Sequence, residues 1–543
     1  MAKSLVYRRL RAPRHDKGLL LDPSWSECLK MAADNSALFQ QHDCDLHGRR
    51  FQELRTQVRR DLLRKAVAYT NDYVDVQLND DSNGTFILSG HQPALFHPGV
   101  WAKNFAIDRM AKETGGTAIQ VVIDNDAMRS HSIVVPTGDL ASPARVSEPF
   151  DDYHDANPYE LRFAKNKSVL QSFPQRVSDH VQSFVAEPLV NALWPDVCEA
   201  VDQGKPLGHA FAMARHRVEH RWGLNTLEIP LSQLCESFGF RWFMLDLLLR
   251  ADSVRSSYNE RLQEYRTLHR LRNHAQPLPD LQTQDGWTET PFWIWSGAEP
   301  QRNAVWIRRS GNDLELSKLK GHSGLLVLKN AFTHQEDAVG QLEEYSTQGW
   351  RLRPRALANT MFLRLFCADT FVHGIGGAKY DQVCDTLIHD LFGFPIPRFA
   401  VLSLTAYLPT PLTLLGDREI IHKQRLLREM YFHPERFLHS QMADGPQVSS
   451  KVNSKRKLIA SKPSHGSASE WHRVMCAVNE ELRGYLQKKT EKEKKNLSDL
   501  LRQRESTEIF SSREWSFCLF EESFLRSRLL DLSCENSYSS GAE

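Results

Sequence analysis

Residues 85–126 constrain the fold more than any other stretch. Thr85-Phe86-Ile87-Leu88-Ser89 is a short, charge-free apolar run, Gly90 to Gly99 is a loop rich in Gly, Pro and His, and Val100–Thr114 carries Trp101, Phe105 and Met110 at helical spacing. Gly115-Gly116 ends that helix, and Ala118–Ile123 is a second apolar run closing in Asp124-Asn125-Asp126. Strand, loop, helix, strand is the unit from which parallel α/β sheets are built, and ligands gather at the carboxyl ends of such strands. Both strand ends here carry residues capable of chemistry.

A second segment has the same form. Phe371-Val372-His373 runs into Gly374-Ile375-Gly376-Gly377-Ala378-Lys379, followed by apolar positions 380, 383, 384, 387, 388 and 391, the face of a helix that Gly393 and Pro395 stop. Between the two segments the pattern is helical over 165–222, strand-like over Thr226–Ile229 and helical over 236–272. Asn303–Leu316 reads as a hairpin about Ser310-Gly311-Asn312-Asp313, with Gly324–Leu328 as a further strand.

At 543 residues the chain is too long for one ordinary core. The expected division is an N-terminal helical segment over 1–84, with a helix over 50–72 and an acidic turn at 79–84. An α/β core follows over 85–411, interrupted by insertions at about 143–225 and 236–345, and then a helical region over 412–543. In that last region Trp471, Val474, Met475, Val478, Leu482 and Leu486 form an apolar stripe of coiled-coil type. The helix around Leu426, Leu427, Met430 and Phe437 is expected to cover one side of it within the chain, leaving the far end near Leu497, Leu500 and Leu501 to a second subunit and giving a homodimer; residues 440–469, rich in Ser and Lys, read as a mobile connection.

Sixty-eight Lys and Arg against 67 Asp and Glu leave a net charge of +1, without the basic field that non-specific nucleic-acid binding needs. Neither a signal peptide nor a membrane helix is legible, since Pro409 and Pro411 interrupt the charge-free run Phe399–Gly416. Nine scattered cysteines without a Cys-x-x-Cys pair argue against a disulfide framework and a cysteine-rich zinc site, so a reducing cytoplasm is the expected compartment. None of the 22 His is read as a metal ligand, and no metal site is expected.

Three constellations could carry chemistry. In the first, Ser89-Gly90-His91-Gln92 and His97 sit between strand and helix, where backbone amides and an imidazolium can hold phosphate or carboxylate. Five residues separate the two His, rather than the two of the nucleotidyltransferase histidine signature, and both could equally be turn residues bonded to backbone. In the second, Asp124, Asn125 and Asp126 could accept a proton from an amine, bind an ammonium or hold Mg²⁺, or simply cap a turn. In the third, Gly374 to Lys379 lets backbone approach a phosphate or acid closely, with Lys379 as a point charge; it is neither a Walker loop nor a full Gly-x-Gly-x-x-Gly. The aromatic group Pro291-Phe292-Trp293-Ile294-Trp295 reads more simply as core than as a stacking platform.

Two blocks of the chain resemble one family, bacillithiol synthase, the cysteine-adding enzyme of bacillithiol biosynthesis. The first is Ser89-Gly90-His91-Gln92 with Leu95-Phe96 and Lys103, leading to Asp124-Asn125-Asp126. The second runs from Arg353-Pro354-Arg355 through Thr360-Met361-Phe362 and Gly374-Ile375-Gly376-Gly377-Ala378-Lys379-Tyr380 to Phe394-Pro395-Ile396-Pro397-Arg398. The resemblance implies a nucleotidyltransferase-like Rossmann core with insertions, a dimerising coiled coil, and amide formation between cysteine and the amine of glucosaminyl-malate. On that reading His91 and His97 contact the carboxylate or phosphate of a small acidic substrate, and Asp124 and Asp126 orient or deprotonate its amine. Ser89, Gly90, Gln92, Lys103, Asn125, Arg355, His373, Gly374, Gly376, Gly377 and Lys379 bind substrate or a nucleotide, the one cofactor left open. The family carries glutamine at the position of His91 and a glycine-rich stretch at His97-Pro98. The rival readings are nucleotidyl transfer with His91 and His97 on phosphates, and an inactive small-molecule binder on the same scaffold.

Overall fold

The computed structural model describes residues 10–76, 84–140, 142–152, 156–273, 275–318, 324–409, 417–438, 445–463 and 468–532. It is mixed α/β, 55% helical and 17% strand. Contacts divide the chain into two units, the first made of Met1–Val135, Val146–Tyr407 and Arg513–Glu543, the second of Pro136–Arg145 and Leu408–Ser512.

The first unit is organised by a six-stranded sheet whose strands we number β1 (Leu19–Asp22), β2 (Phe86–His91), β3 (Thr117–Val122), β4 (Leu227–Pro230), β5 (Thr370–His373) and β6 (Ala400–Leu404). Their order across the sheet is β4-β3-β2-β5-β6-β1; the first five run parallel, and β1 joins β6 antiparallel at the edge. The chain therefore begins in the middle with β2, moves outward to β3 and β4, then returns to the other side of β2 as β5 and β6. The direction of progress reverses between β2 and β5, where loops leaving the carboxyl ends diverge and open a crevice.

Strand alternation sorts the two faces. Phe86, Leu88, Ile119, Val121, Leu227 and Ile229 point into one apolar core shared with helix Phe51–Asn71 and the helices over 238–268. The intervening Ser89, His91, Gln120 and Glu228 are buried on the opposite face, the side of helices α1 (Pro98–Thr114) and α2 (Leu207–Arg221), which therefore needs polar partners. Helix α3 (Ile375–Phe392) crosses from β5 to β6 and ends at Gly393, whose φ of 70° supplies the left-handed turn. Asp369 ties the amino ends of β2 and β5: it accepts from the Phe86 amide at 2.8 Å and pairs with Arg55 at 2.7 Å and Arg59 at 3.0 Å. The two strands are thereby held side by side, Ser89 against Val372, with their carboxyl ends together.

Between β3 and β4 lie helices Lys167–Val181, Val190–Asp202 and α2. Between β4 and β5 lies an antiparallel sheet that includes Trp287–Ser296, Asn303–Ser310, Asp313–Ser317, Leu326–Leu328 and Trp350–Pro354, with Gly311 at φ 62° in the hairpin.

Four features differ from the sequence reading. The segment 1–84 is not wholly helical, since Leu19–Asp22 adds the edge strand; its acidic turn lies, but for Gly84, outside the described residues. Residues 440–469 are not simply a connection, because Pro446–Ala460 is a helix: Pro446 presets its first turn, and its Ser and Lys residues suit the solvated face of a helix as well as they suit a loop. That helix is also a neighbour of the Trp471 stripe, the Trp471 indole donating to the Leu458 carbonyl at 2.7 Å. Finally, the chain returns to the first unit at Arg513, where Phe517, Leu519, Phe520 and Leu525 are buried and the Phe517 amide donates to the Phe96 carbonyl at 2.8 Å. Among the described residues no helix is long and apolar enough to cross a membrane.

Candidate functional site

A cavity of about 1110 Å³ opens at the carboxyl ends of β2 and β5, at the reversal point. It gathers residues far apart in sequence: Gly90, His91, Gln92, His97 and Lys103 from the first block, Asn125 and Asp126 from the end of β3, and Arg355, His373, Gly374, Gly376, Gly377 and Lys379 from the second block. Ser89 and Asp124 do not line it. Ser89 Oγ donates to the Val372 carbonyl at 2.9 Å, fastening β2 to β5. Asp124, fully buried, accepts from the Ser232 amide at 2.9 Å and the Ser232 hydroxyl, and meets His209 Nε2 at 2.9 Å. Its oxygens hold the scaffold, whereas Asp126 two residues on is a third exposed, pairs with Arg302 at 2.6 Å and accepts from Gln92.

Two helix amino termini converge on the space. Helix α1 starts at His97, whose Nδ1 accepts from the Gly99 amide at 3.1 Å, and a β-carbon at Gly99 would collide with the Leu404 carbonyl and with Arg513. Helix α3 starts at Gly374 with no side-chain cap and no acidic residue in its first turn. Uncapped first-turn amides together with the helix dipole favour an anion. Side chains reinforce this, with seven Lys or Arg lining the cavity against Asp126 and Glu514.

Lys103 is the most unusual of these. Its side chain is 3% exposed, and Nζ donates to the Gly90 carbonyl at 2.8 Å, but among the described residues no carboxylate lies within ion-pair distance. Burial, aided by Arg215, pushes its pKa down to about 7. Lys103 also acts on the three cavity imidazoles. Burial holds His91 well below the usual histidine range and pushes His97 down to about 4, with Lys103 adding to both shifts. His373 is likewise lowered, chiefly by burial, against the pull of Asp381. All three are neutral near pH 7, so the imidazoles are hydrogen-bonding groups and the positive charge comes from Lys and Arg. His91 is set between two acceptors, the Gln92 carbonyl at 3.1 Å and Asn104 Oδ1 at 3.2 Å.

The opposite wall comes from residues that sequence reasoning missed. Trp293 lies on a strand whose neighbours Phe292 and Ile294 are buried in the core; Trp293 itself faces the cavity, with the Arg355 guanidinium 4.1 Å and that of Arg302 5.3 Å from its ring. Strand alternation within Phe292-Trp293-Ile294 was the available signal. Arg355, Asn359 and Leu363 follow at i, i+4, i+8, one helical face, and that spacing could have found Asn359. The buried Asn125 Oδ1 and the half-buried Asn359 Oδ1 have no partner among the described residues and line the cavity; both are acceptors that a ligand N–H or O–H would satisfy. The site thus suits a molecule with an anionic end and a hydrogen-bond-donating end.

No protein-family model matches the chain, and no curated protein sequence does. Among the described residues no three His, Cys, Asp or Glu side chains are grouped to hold a metal.

Proposed function

We propose that this is an enzyme of carbon–nitrogen ligation, similar to bacillithiol synthase, that joins cysteine or a similar amino acid to the amine of a small acidic amino-sugar conjugate. The observation that carries this reading is Lys103, a buried cation without a carboxylate in reach, beside two helix amino termini. Such a charge is costly to bury alone, and a substrate carboxylate or phosphate is the counter-ion that removes the cost. The orphan acceptors of Asn125 and Asn359 suit the amine and hydroxyl groups of the same molecule. The strand order β4-β3-β2-β5-β6 supports a Rossmann-like, nucleotidyltransferase-type core, in which this crevice is the usual ligand position.

Condensing a carboxylic acid with an amine expels water and needs an activated acyl group. A nucleoside triphosphate would supply that activation, with the amides at the start of α3 and Lys379 for its phosphates and Trp293 as an aromatic surface for the base. His91 and His97 then serve as neutral donors or acceptors, with His97 Nδ1 already accepting and Nε2 carrying its proton. Asp126 is left to orient the amine, since Asp124 is occupied. A homodimer through the C-terminal helices stays part of the proposal, with Val474, Tyr485 and Leu501 exposed in the second unit; light scattering of the full chain tests it.

The deciding experiment incubates the purified protein with cysteine, glucosaminyl-malate and ATP and follows products by mass spectrometry. A cysteinyl amide is expected. Release of pyrophosphate with a nucleotidylated product would instead favour nucleotidyl transfer, and binding without turnover an inactive binder.

A further inference from the structure

His373 closes β5 on the cavity wall, and its surroundings set its two ring nitrogens to different tasks. Nε2 lies 2.9 Å from Asp381 Oδ2, in the second turn of α3, at ion-pair distance but outside hydrogen-bond geometry, with both residues buried. Asp381 in turn pairs with Arg364 at 2.7 Å; burial raises its pKa, but Arg364 and His373 outweigh this and hold it ionised. The charge of the Asp381 carboxylate favours the tautomer of the neutral imidazole with its proton on Nε2, the nitrogen nearer to it, which leaves a lone pair on Nδ1. Phe371 and Phe399 flank the ring at 4.5 and 5.1 Å between centroids and fix its plane. Gly377 keeps Nδ1 uncovered, since a β-carbon there would stand 2.8 Å from it.

We propose that His373, positioned by Asp381, is the general base of this cavity and takes the proton of the attacking amine through Nδ1. The inference rests on the ligase reading. In the step, the amine nitrogen bonds to an acyl carbon activated by a nucleoside triphosphate as a mixed anhydride with phosphate. The carbon–oxygen bond to the phosphate breaks, the phosphate leaves with that electron pair, and one amine proton passes to His373. Asp381 and Arg364 stabilise the imidazolium that results. The charged groups acting on His373 are Asp381, which favours protonation, and Arg364 and Lys103, which oppose it. Asp381 is a positioning residue.

Two measurements test this independently. Nitrogen-15 spectra of histidine-labelled protein read the tautomer without any turnover: Nδ1 of His373 should resonate as an unprotonated nitrogen at pH 7, with the assignment lost in His373→Gln. A proton on Nδ1 would overturn the proposal whatever the reaction proves to be. Amide formation from cysteine, glucosaminyl-malate and ATP reads the chemistry. His373→Ala should lower kcat about 100-fold or more, with partial rescue by added imidazole. Gly377→Ala should lower kcat by covering Nδ1 while leaving the charged groups in place. If the parent forms no amide, the ligase reading fails and the tautomer still decides the geometry. If the parent forms amide and both folded variants keep its kcat, the base assignment is wrong.

Discussion

Arg215 and Lys103 are both buried on the polar side of the sheet, and the chain treats their charges in opposite ways. Arg215, on α2, is paired with Glu219 and Glu228; burial opposes its charge and the two glutamates outweigh it. Around it the network closes further, with Trp101 and Asn104 donating to Glu219 and Tyr73 to Glu228. Lys103, on α1 and close enough for Arg215 to depress its pKa, has among the described residues only the Gly90 carbonyl. A buried charge with its partners supplied by the fold holds structure together, whereas one left without them is a place for a ligand's charge.

Breaking the paired side should have the largest effect. Arg215→Ala strands two buried carboxylates, and a loss of about 3–5 kcal/mol in unfolding free energy is expected by urea titration. A loss under about 1 kcal/mol would mean that the network is not holding the scaffold.

The unpaired side should respond with the opposite sign. Lys103 titrates near 7 in the folded chain and near 10.4 unfolded, so between these values the unfolded chain binds more protons and stability rises with pH. Lys103→Met removes the penalty and should stabilise the protein by about 2–4 kcal/mol at pH 7, a gain that shrinks as pH approaches 10. Paired urea titrations at pH 7 and 9.5 measure it, and a destabilised variant would show that Lys103 is structural.

The two acids of the turn after β3 sharpen the same contrast on a smaller scale. Asp124→Ala abandons Ser232 and His209 in the interior and should cost about 2 kcal/mol, whereas Asp126→Ala should change stability by less than about 1 kcal/mol and alter ligand affinity instead. Equal melting temperatures for the two variants would erase the distinction.

How far such roles are legible in sequence follows from what local pattern encodes. Strands β2, β3 and β5 and helices α1 and α3 announce themselves through apolar runs, helical periodicity and terminal glycines, and the meeting of their loops follows from strand-end placement. Which of Asp124 and Asp126 faces the cavity depends on Ser232 and His209, which sit more than 80 residues onward in the chain, and no local propensity carries that information. Trp293 and Arg302 reach the site from the second insertion, and Asn359 from the helix Ala356–Phe362, through tertiary packing; alternation and helical spacing mark the faces of Trp293 and Asn359 but not the cavity those faces meet. Leu19–Asp22 is a strand only because β6 offers it an edge, and its four residues are too few to show a period.

The central claim, that a substrate anion supplies the counter-charge of Lys103, is tested most directly by the proton balance of binding. Calorimetric titration with glucosaminyl-malate at pH 8, repeated in buffers of different ionisation enthalpy, counts the protons taken up. Lys103 is mostly neutral at that pH and an anion beside it raises its pKa, so uptake approaching one proton is expected for the parent and none for Lys103→Met. Binding without proton uptake, or equal uptake in both proteins, would contradict the account.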